Sequence, residues 1–193
     1  MDFHSTYRLS EGFPDGAVRA REIVDSLKGR DIALATGAWR PSMTLRFVQY
    51  EGVRLFDYVG TQRVAIRLVS DRIVDALKKG GATGWDAVPV GFSCKGRDDA
   101  GPYYVLVATG RCGPIDNSKS VQAHKAVIGN PKGGLIWKGL YFDETSWDGS
   151  DLFCPKGTAF FFVTERLEQV LEGFAADNIR LESLSDIERV SLV

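Results

Sequence analysis

One stretch of this chain occurs twice, and that recurrence constrains the fold more than any other feature of the sequence. Residues 64–77 match residues 158–171 at an offset of 94 positions, with apolar, hydroxyl and acidic side chains in the same order. Both copies contain a short motif after an apolar run, Val69-Ser70-Asp71-Arg72 in the first and Val163-Thr164-Glu165-Arg166 in the second. A recurrence at a fixed offset predicts one structural unit that is used twice.

The motif has the features of a strand that runs into a capped helix. Ser70 and Thr164 carry hydroxyls that can accept a hydrogen bond in the first turn of a helix, and the acid that follows suits the positive end of the helix dipole. Apolar residues then recur at helical spacing and end at Leu77 and Leu171, which we expect to be buried. A second strand-like stretch follows each helix. The sequence therefore predicts two strand–helix–strand units, residues 64–90 and 158–184.

Most other apolar stretches are short and have the pattern of strands, Tyr103–Ala108 most clearly. We also predict a helix over Asp15–Leu27, and a short C-terminal helix from the capping pattern of Ser185–Glu188. A chain of 193 residues is long enough for one domain with a substantial core. We predict a single α+β domain, residues 1–193, with a mixed sheet and two equivalent units.

The composition is that of a globular protein, and the chain pattern favours the cytoplasm. Hydrophobic residues make up 44% and charged residues 25% of the chain, an ordinary globular balance. The N-terminus has no signal-peptide pattern, and no apolar run has the length of a membrane span. The three cysteines have no paired spacing, so we expect reduced thiols rather than disulfides. The net charge of −1 gives no reason to expect a nucleic-acid partner.

The residue types that carry most enzymatic chemistry are scarce or isolated in this sequence. The chain has two histidines and three cysteines, and none of them have the local pairing of zinc ligands. The glycine-rich stretch Gly129–Gly134 lacks the lysine–hydroxyl pair of a phosphate-binding P-loop. We therefore predict no metal, no cofactor and no catalytic residue. An enzyme that acts on a small substrate through an unrecognised carboxylate or cysteine site remains an alternative.

Charge is unevenly distributed along the chain. Residues 141–193 carry 11 acidic and four basic side chains, a net charge of −7, and residues 1–140 carry the compensating basic excess. Aromatic anchors among charged residues are common in protein–protein interfaces. The candidate partner-binding residues of this kind are Trp137, Tyr141, Asp143, Glu144, Trp147, Asp148 and Asp151. The alternative is an ordinary surface loop, with Trp137 and Phe142 in the core and the acids balancing the basic part of the fold.

A series of short segments occurs in a characteristic order between residues 53 and 185. They are Phe56-Asp57, Val69-Ser70-Asp71-Arg72, Trp85–Val90, Tyr103-Tyr104-Val105-Leu106, Ile115-Asp116 with Ser118 and Ser120, Leu140-Tyr141-Phe142-Asp143, Leu152-Phe153 and Val163-Thr164-Glu165-Arg166. In this order the chain resembles the immunity protein 11 family of bacterial polymorphic and contact-dependent toxin systems. The similarity covers about residues 53–185 and does not extend to residues 1–50, since the first residues vary within the family.

The resemblance implies a function in binding rather than in chemistry. It implies an immunity protein, one member of an effector–immunity pair, which binds a cognate toxin and blocks it. It brings no catalytic residues, because members of the family are thought to neutralise their toxins by binding. The expected function is therefore that of a cytoplasmic toxin inhibitor with a protein partner. A protein-interaction module whose partner is not a toxin remains an alternative.

Overall fold

The computed structural model of the chain describes residues 3–95, 101–127, 130–174 and 178–190. The described part is mostly strand, with three short helices, α1 (Asp31–Ala35), α2 (Asp71–Lys79) and α3 (Glu165–Glu172). The strands are β1 (Thr6–Glu11), β2 (Arg19–Glu22), β3 (Leu45–Glu51), β4 (Tyr58–Gly60), β5 (Arg67–Ser70), β6 (Trp85–Ser93), β7 (Tyr103–Ala108), β8 (Gly110–Cys112), β9 (Val121–Val127), β10 (Asn130–Lys138), β11 (Leu152–Pro155), β12 (Phe161–Thr164), β13 (Ile179–Ser183) and β14 (Glu188–Val190). The protein is mixed α+β, which confirms the predicted class.

The strands of the described chain form three sheets. The six-stranded sheet has the order β2-β3-β6-β7-β5-β4, and the five-stranded sheet has the order β13-β1-β12-β11-β8. The third sheet has three strands in the order β14-β10-β9. Most neighbouring strands are antiparallel, but β3 is parallel to β6 and β8 is parallel to β11. Both larger sheets are therefore mixed.

Helices α2 and α3 pack with the two larger sheets around one main core. Leu77 and Leu171 belong to this core and are each 2% exposed, which confirms that these two leucines are buried. β1, β5, β7 and β12 contribute further buried side chains to it. A second cluster includes Phe142, Phe153 and Phe162, whose rings are in mutual contact. Because successive residues of a strand point to opposite faces, the five-stranded sheet has apolar packing on both sides.

The two segments that share the sequence motif contain the same elements in the same order. β5, α2 and β6 make up the first segment, and β12, α3 and β13 make up the second. In each, one antiparallel strand lies between the two strands, β7 in the first and β1 in the second. The preceding strand also pairs in matching register, since Tyr58 lies opposite Val69, and Leu152 lies opposite Val163. The N-terminal β1 thus lies within the five-stranded sheet.

The helix predicted over Asp15–Leu27 is wrong. Residues Arg19–Glu22 form β2, which pairs antiparallel with β3. Ile23 and Val24, two of the apolar residues in this segment, are 55% and 69% exposed. Pairing with a neighbouring strand therefore outweighs a weak helical periodicity, because local propensity is a small contribution beside tertiary packing.

Two finer expectations also differ from the structure. Residues 184–186 form a turn, and Glu188 begins β14, so no helix forms there. The hydroxyl of Ser70 makes no capping hydrogen bond to α2, and it donates one to the buried carboxylate of Asp57. Thr164 does cap α3, since its hydroxyl oxygen accepts a hydrogen bond from the backbone N–H of Leu167. The Thr164 hydroxyl also donates a hydrogen bond to a carboxylate, that of Asp151, so one hydroxyl can make both contacts.

Candidate functional site

Residues 141–150, here the acidic loop, contain the exposed acids that were predicted to bind a partner. Asp143 accepts hydrogen bonds from the hydroxyl and the backbone N–H of Thr145, at 2.8 and 3.0 Å. These bonds lower the pKa of Asp143. Asp148 accepts a hydrogen bond from the backbone N–H of Arg111 at 2.7 Å. Asp143, Glu144 and Asp148 are all exposed, so the loop presents three acids to solvent in an arrangement that hydrogen bonds support.

The aromatic residues of the predicted site are half-buried. The rings of Trp147 and Phe153 have centroids 5.6 Å apart, and the Trp147 indole N–H donates to the Ser150 carbonyl. Tyr141 makes an edge contact with Phe3. Trp137 lies on β10. The same strand contains residues 130–134 of the glycine-rich stretch, and residue 129 lies outside the described residues. Trp147 therefore joins the acidic loop to the second apolar cluster, and only part of its ring is open to a partner.

Asp151 is buried and connects separate parts of the fold. One carboxylate oxygen accepts hydrogen bonds from the backbone N–H and the hydroxyl of Thr83, both at 2.9 Å, and pairs with the Arg166 guanidinium at 3.3 Å. The other oxygen accepts the Thr164 hydroxyl at 3.0 Å. All of its close contacts are internal, so Asp151 positions the chain that follows the acidic loop and is not part of the exposed surface.

Asp57, which lies 94 positions before Asp151, makes matching contacts in the first segment. Its carboxylate accepts hydrogen bonds from the Ser70 hydroxyl and the Arg72 guanidinium, each at 2.5 Å. No structural role for Asp57 was predicted from the sequence. The signal was present in the spacing, because in both segments the acid precedes the hydroxyl residue by 13 positions and the arginine by 15.

The three cysteines are free thiols, and all three are buried. Burial, with smaller contributions from Cys154 and Asp148, raises the pKa of Cys112 to about 12. Burial also raises the pKa of Cys154. Because the thiolate is the nucleophilic form of cysteine, neither of these two side chains is suited to covalent catalysis near neutral pH.

We expect the thiols of the native protein to react slowly with a disulfide reagent such as dithionitrobenzoate. At about pH 8 the folded chain should react at least ~100-fold more slowly than the chain in denaturant, because all three thiols are buried and burial raises the pKa of Cys112 and Cys154. The rate of the Cys112 reaction should continue to rise above about pH 9, where an ordinary thiol is already ionised. The measurement is absorbance against time over a pH series. Rapid reaction of all the thiols in the native protein would contradict this prediction.

A cavity of about 310 Å³, which the sequence analysis missed, lies between β1 and β13 of the five-stranded sheet and β4 and β5 of the six-stranded sheet. This volume is within the range of small-molecule sites. The wall combines apolar side chains with charged ones, and the charged residues are Arg8, Arg19, Arg67, Arg180, Glu11 and Glu182. Six charged side chains therefore line one cavity.

Arg67 is a buried cation at this cavity, with 9% of its surface exposed. Its guanidinium donates hydrogen bonds to the carbonyls of Ala65 and Ala159, each at 3.0 Å. The same group lies 4.1 Å from the centre of the Phe161 ring. Within the described ranges, Arg67 forms no ion pair with a carboxylate, although Arg8, Arg19 and Arg180 each have one.

Tyr58 lies beside Arg67 and is 1% exposed. Its hydroxyl has no hydrogen bond of good geometry in the part of the chain that the structure describes. Burial raises the pKa of Tyr58 to about 12, although the positive charge of Arg67 and a weak hydrogen bond between the two side chains act in the opposite direction. Arg19 Nε, also without a hydrogen bond, is 3.6 Å from Glu11 Oε1. Burial raises the pKa of Glu11, and a hydrogen bond from Asn178 opposes that change.

No protein-family model matches this chain, and no curated protein matches it either. Among the described residues, none of the helices has both the length and the apolar character to cross a membrane. The structural observations that bear on function are therefore the acidic loop and the charged cavity.

Proposed function

We propose that this chain is an immunity protein, which binds a cognate bacterial toxin in the cytoplasm and blocks it as one half of an effector–immunity pair. The observation that carries the proposal is the acidic loop, where three exposed acids stand beside half-buried aromatic rings. The similarity of residues 53–185 to the immunity protein 11 family supports the same function. Both point to a protein partner and to inhibition by binding.

The chemistry of the acidic loop defines the toxin surface that would fit it. The carboxylates of Asp143, Glu144 and Asp148 attract a basic surface and increase the rate at which the two proteins meet. Tyr141 and Trp147 offer aromatic area next to them, the kind of side chain that holds an interface together. Because hydrogen bonds already restrain Asp143 and Asp148, binding would cost little additional side-chain entropy at these positions.

We further propose that the fold is a single domain built from two equivalent strand–helix–strand units, residues 64–90 and 158–184. The matching strand registers and the matching contacts of the two buried aspartates support this. So do the contacts between the helices: Arg166 near the start of α3 donates to the Gly80 carbonyl at the end of α2, at 2.8 Å. Arg72 near the start of α2 lies 5.5 Å from the Phe174 ring, just beyond α3. Gly80 and Phe174 are again 94 positions apart.

The direct test is co-expression with the product of the neighbouring candidate toxin gene. The toxin candidate alone should arrest growth of the host cells, and the full chain expressed with it should restore growth. A tag on the chain should then recover both proteins in one complex. Growth arrest that persists at full expression of the folded chain, with no complex recovered, would contradict the proposed function.

Neutralising the acidic loop should slow association with that toxin candidate. The variant D143N/E144Q/D148N removes three charges but keeps a side-chain oxygen at each position to accept the turn hydrogen bonds. We expect its association rate at low salt to fall by about tenfold and to depend less on salt, because the steering charges are gone. Association rates at two salt concentrations, measured by surface plasmon resonance, give the result.

The matched control changes the same total charge elsewhere. E51Q/D75N/E172Q alters three exposed acids on β3, α2 and α3, away from the acidic loop. Its association rate should stay close to that of the unmodified chain. If the two triple variants have equal association rates, the acidic loop is not part of the interface.

A further inference from the structure

We propose that the cavity between β1, β4, β5 and β13 is a binding site for a small organic monocarboxylate with an apolar body. The inference goes beyond toxin binding and does not depend on it. Its basis is an excess of cationic groups around the cavity, two buried donors without a hydrogen bond of good geometry, and an apolar wall beside them.

The ion pairs around the cavity leave one cation unmatched. Glu182 is shared by Arg8, at 2.5 Å, and Arg180, at 2.7 Å. Glu11 lies 3.6 Å from Arg19. Arg67 has no carboxylate within ion-pair distance among the residues described, although its charge acts on Glu11 from further away. Burying a guanidinium without a counter-ion is costly, and an anion in the cavity would supply that counter-ion.

Two further donors at the same place lack a hydrogen bond of good geometry. They are the hydroxyl of Tyr58, a side chain 99% buried, and Arg19 Nε, which has only the ion pair with Glu11 at 3.6 Å. Tyr58 and Arg19 both line the cavity with Arg67. Buried donors of this kind normally have a partner, so their shared position indicates a ligand that accepts hydrogen bonds.

The rest of the wall decides which anion fits. Arg8, Arg19 and Arg180 already pair with the two glutamates of the wall, which leaves Arg67 to be matched by a single negative charge. Leu9, Ile66 and Phe160 form apolar parts of the wall. A carboxylate group near Arg67 and Tyr58 would contact the charged part of the wall, and an apolar body attached to it would contact the apolar part.

The second segment indicates that the fold itself does not need these polar side chains. The positions 94 residues after Tyr58 and Arg67 are Leu152 and Phe161, and both are fully buried. They occupy corresponding strands, β11 and β12. Two apolar side chains are enough to fill these positions in the second segment. The tyrosine and the arginine of the first segment are therefore not needed for packing, and they point to a ligand. This step rests on the proposed equivalence of the two units.

The test uses the purified full chain with benzoate and octanoate as carboxylate probes, and benzyl alcohol as a neutral probe. Isothermal titration should show saturable binding of one or both carboxylates with one site per chain, and none of benzyl alcohol. R67M should weaken carboxylate binding by roughly tenfold or more, and Y58F by roughly threefold to tenfold. R21M, which removes an exposed arginine on β2, should bind like the unmodified chain.

Each contrary result overturns the proposal. Absence of saturable binding of both carboxylates would do so, as would equal affinity in Y58F and the unmodified chain. If R67M does not fold, as judged by circular dichroism, Y58F decides the outcome, because it removes only one hydroxyl oxygen. Binding of inorganic phosphate in preference to both carboxylates would overturn the choice of ligand class.

Discussion

Replacement of Leu171 with alanine is expected to lower the free energy of unfolding by about 2 to 5 kcal/mol. Leu171 lies on α3, is 2% exposed and faces the main core. The side chains around it, including Leu77 and Leu167, leave a gap of only about 10 Å³, so the lost methyl groups would leave a real void. Denaturant titration followed by circular dichroism measures the change. Leu77→Ala, at the corresponding place on α2, should lower the free energy of unfolding by a similar amount.

The control for these two variants is an apolar residue that contacts little. Val53 is 80% exposed, and Val53→Ala should change the free energy of unfolding by less than about 0.5 kcal/mol. A Leu171→Ala protein with the denaturation midpoint of the unmodified chain would show that α3 does not bury this side chain.

Replacement of Asp151 with alanine should cost about 3 kcal/mol of unfolding free energy or more. The variant leaves the backbone N–H and hydroxyl of Thr83 and the hydroxyl of Thr164 without their acceptor inside the protein. The ion pair with Arg166 contributes less, because that arginine side chain is 57% exposed and solvent screens its charge. Denaturant titration again gives the result.

A matched acid on the surface separates this effect from loss of charge alone. Asp186 is exposed and pairs with Lys138 at 3.1 Å. Asp186→Ala should therefore change stability by less than about 0.5 kcal/mol. Similar losses in the two variants would mean that the hydrogen bonds of Asp151 are not the source of its effect. We expect Asp57→Ala to behave like Asp151→Ala, since its contacts match.

Much of the fold could be predicted from local pattern. The helical spacing that ends at Leu77 and Leu171 predicted α2 and α3, and a short run of β-type apolar residues predicted β7. These patterns are reliable because burying one face of an element needs apolar residues at its own period. The helix predicted over Asp15–Leu27 was wrong because the pattern of this segment is ambiguous. Its apolar residues suit more than one period, and the neighbouring β3 decides that part of it is a strand.

The candidate sites differ in how far the sequence could reveal them. The acids of the acidic loop are close together in sequence, so they could be found there, and the structure adds that Asp151 is buried while Asp143, Glu144 and Asp148 are exposed. Whether they bind a toxin remains a prediction. The charged cavity draws on β1, β4, β5 and β13, whose residues have no local spacing in common.

The sequence by itself determined the α+β class, the two helices with their buried leucines and the acidic character of one exposed segment, because periodicity and composition act over a few residues. Tertiary structure alone decided that β1 lies between β12 and β13. It also decided that Arg67 and Tyr58 meet Arg19 at one cavity. Long-range strand pairing brings these residues together, and each strand's partner depends on the packing of the whole chain rather than on its own residues.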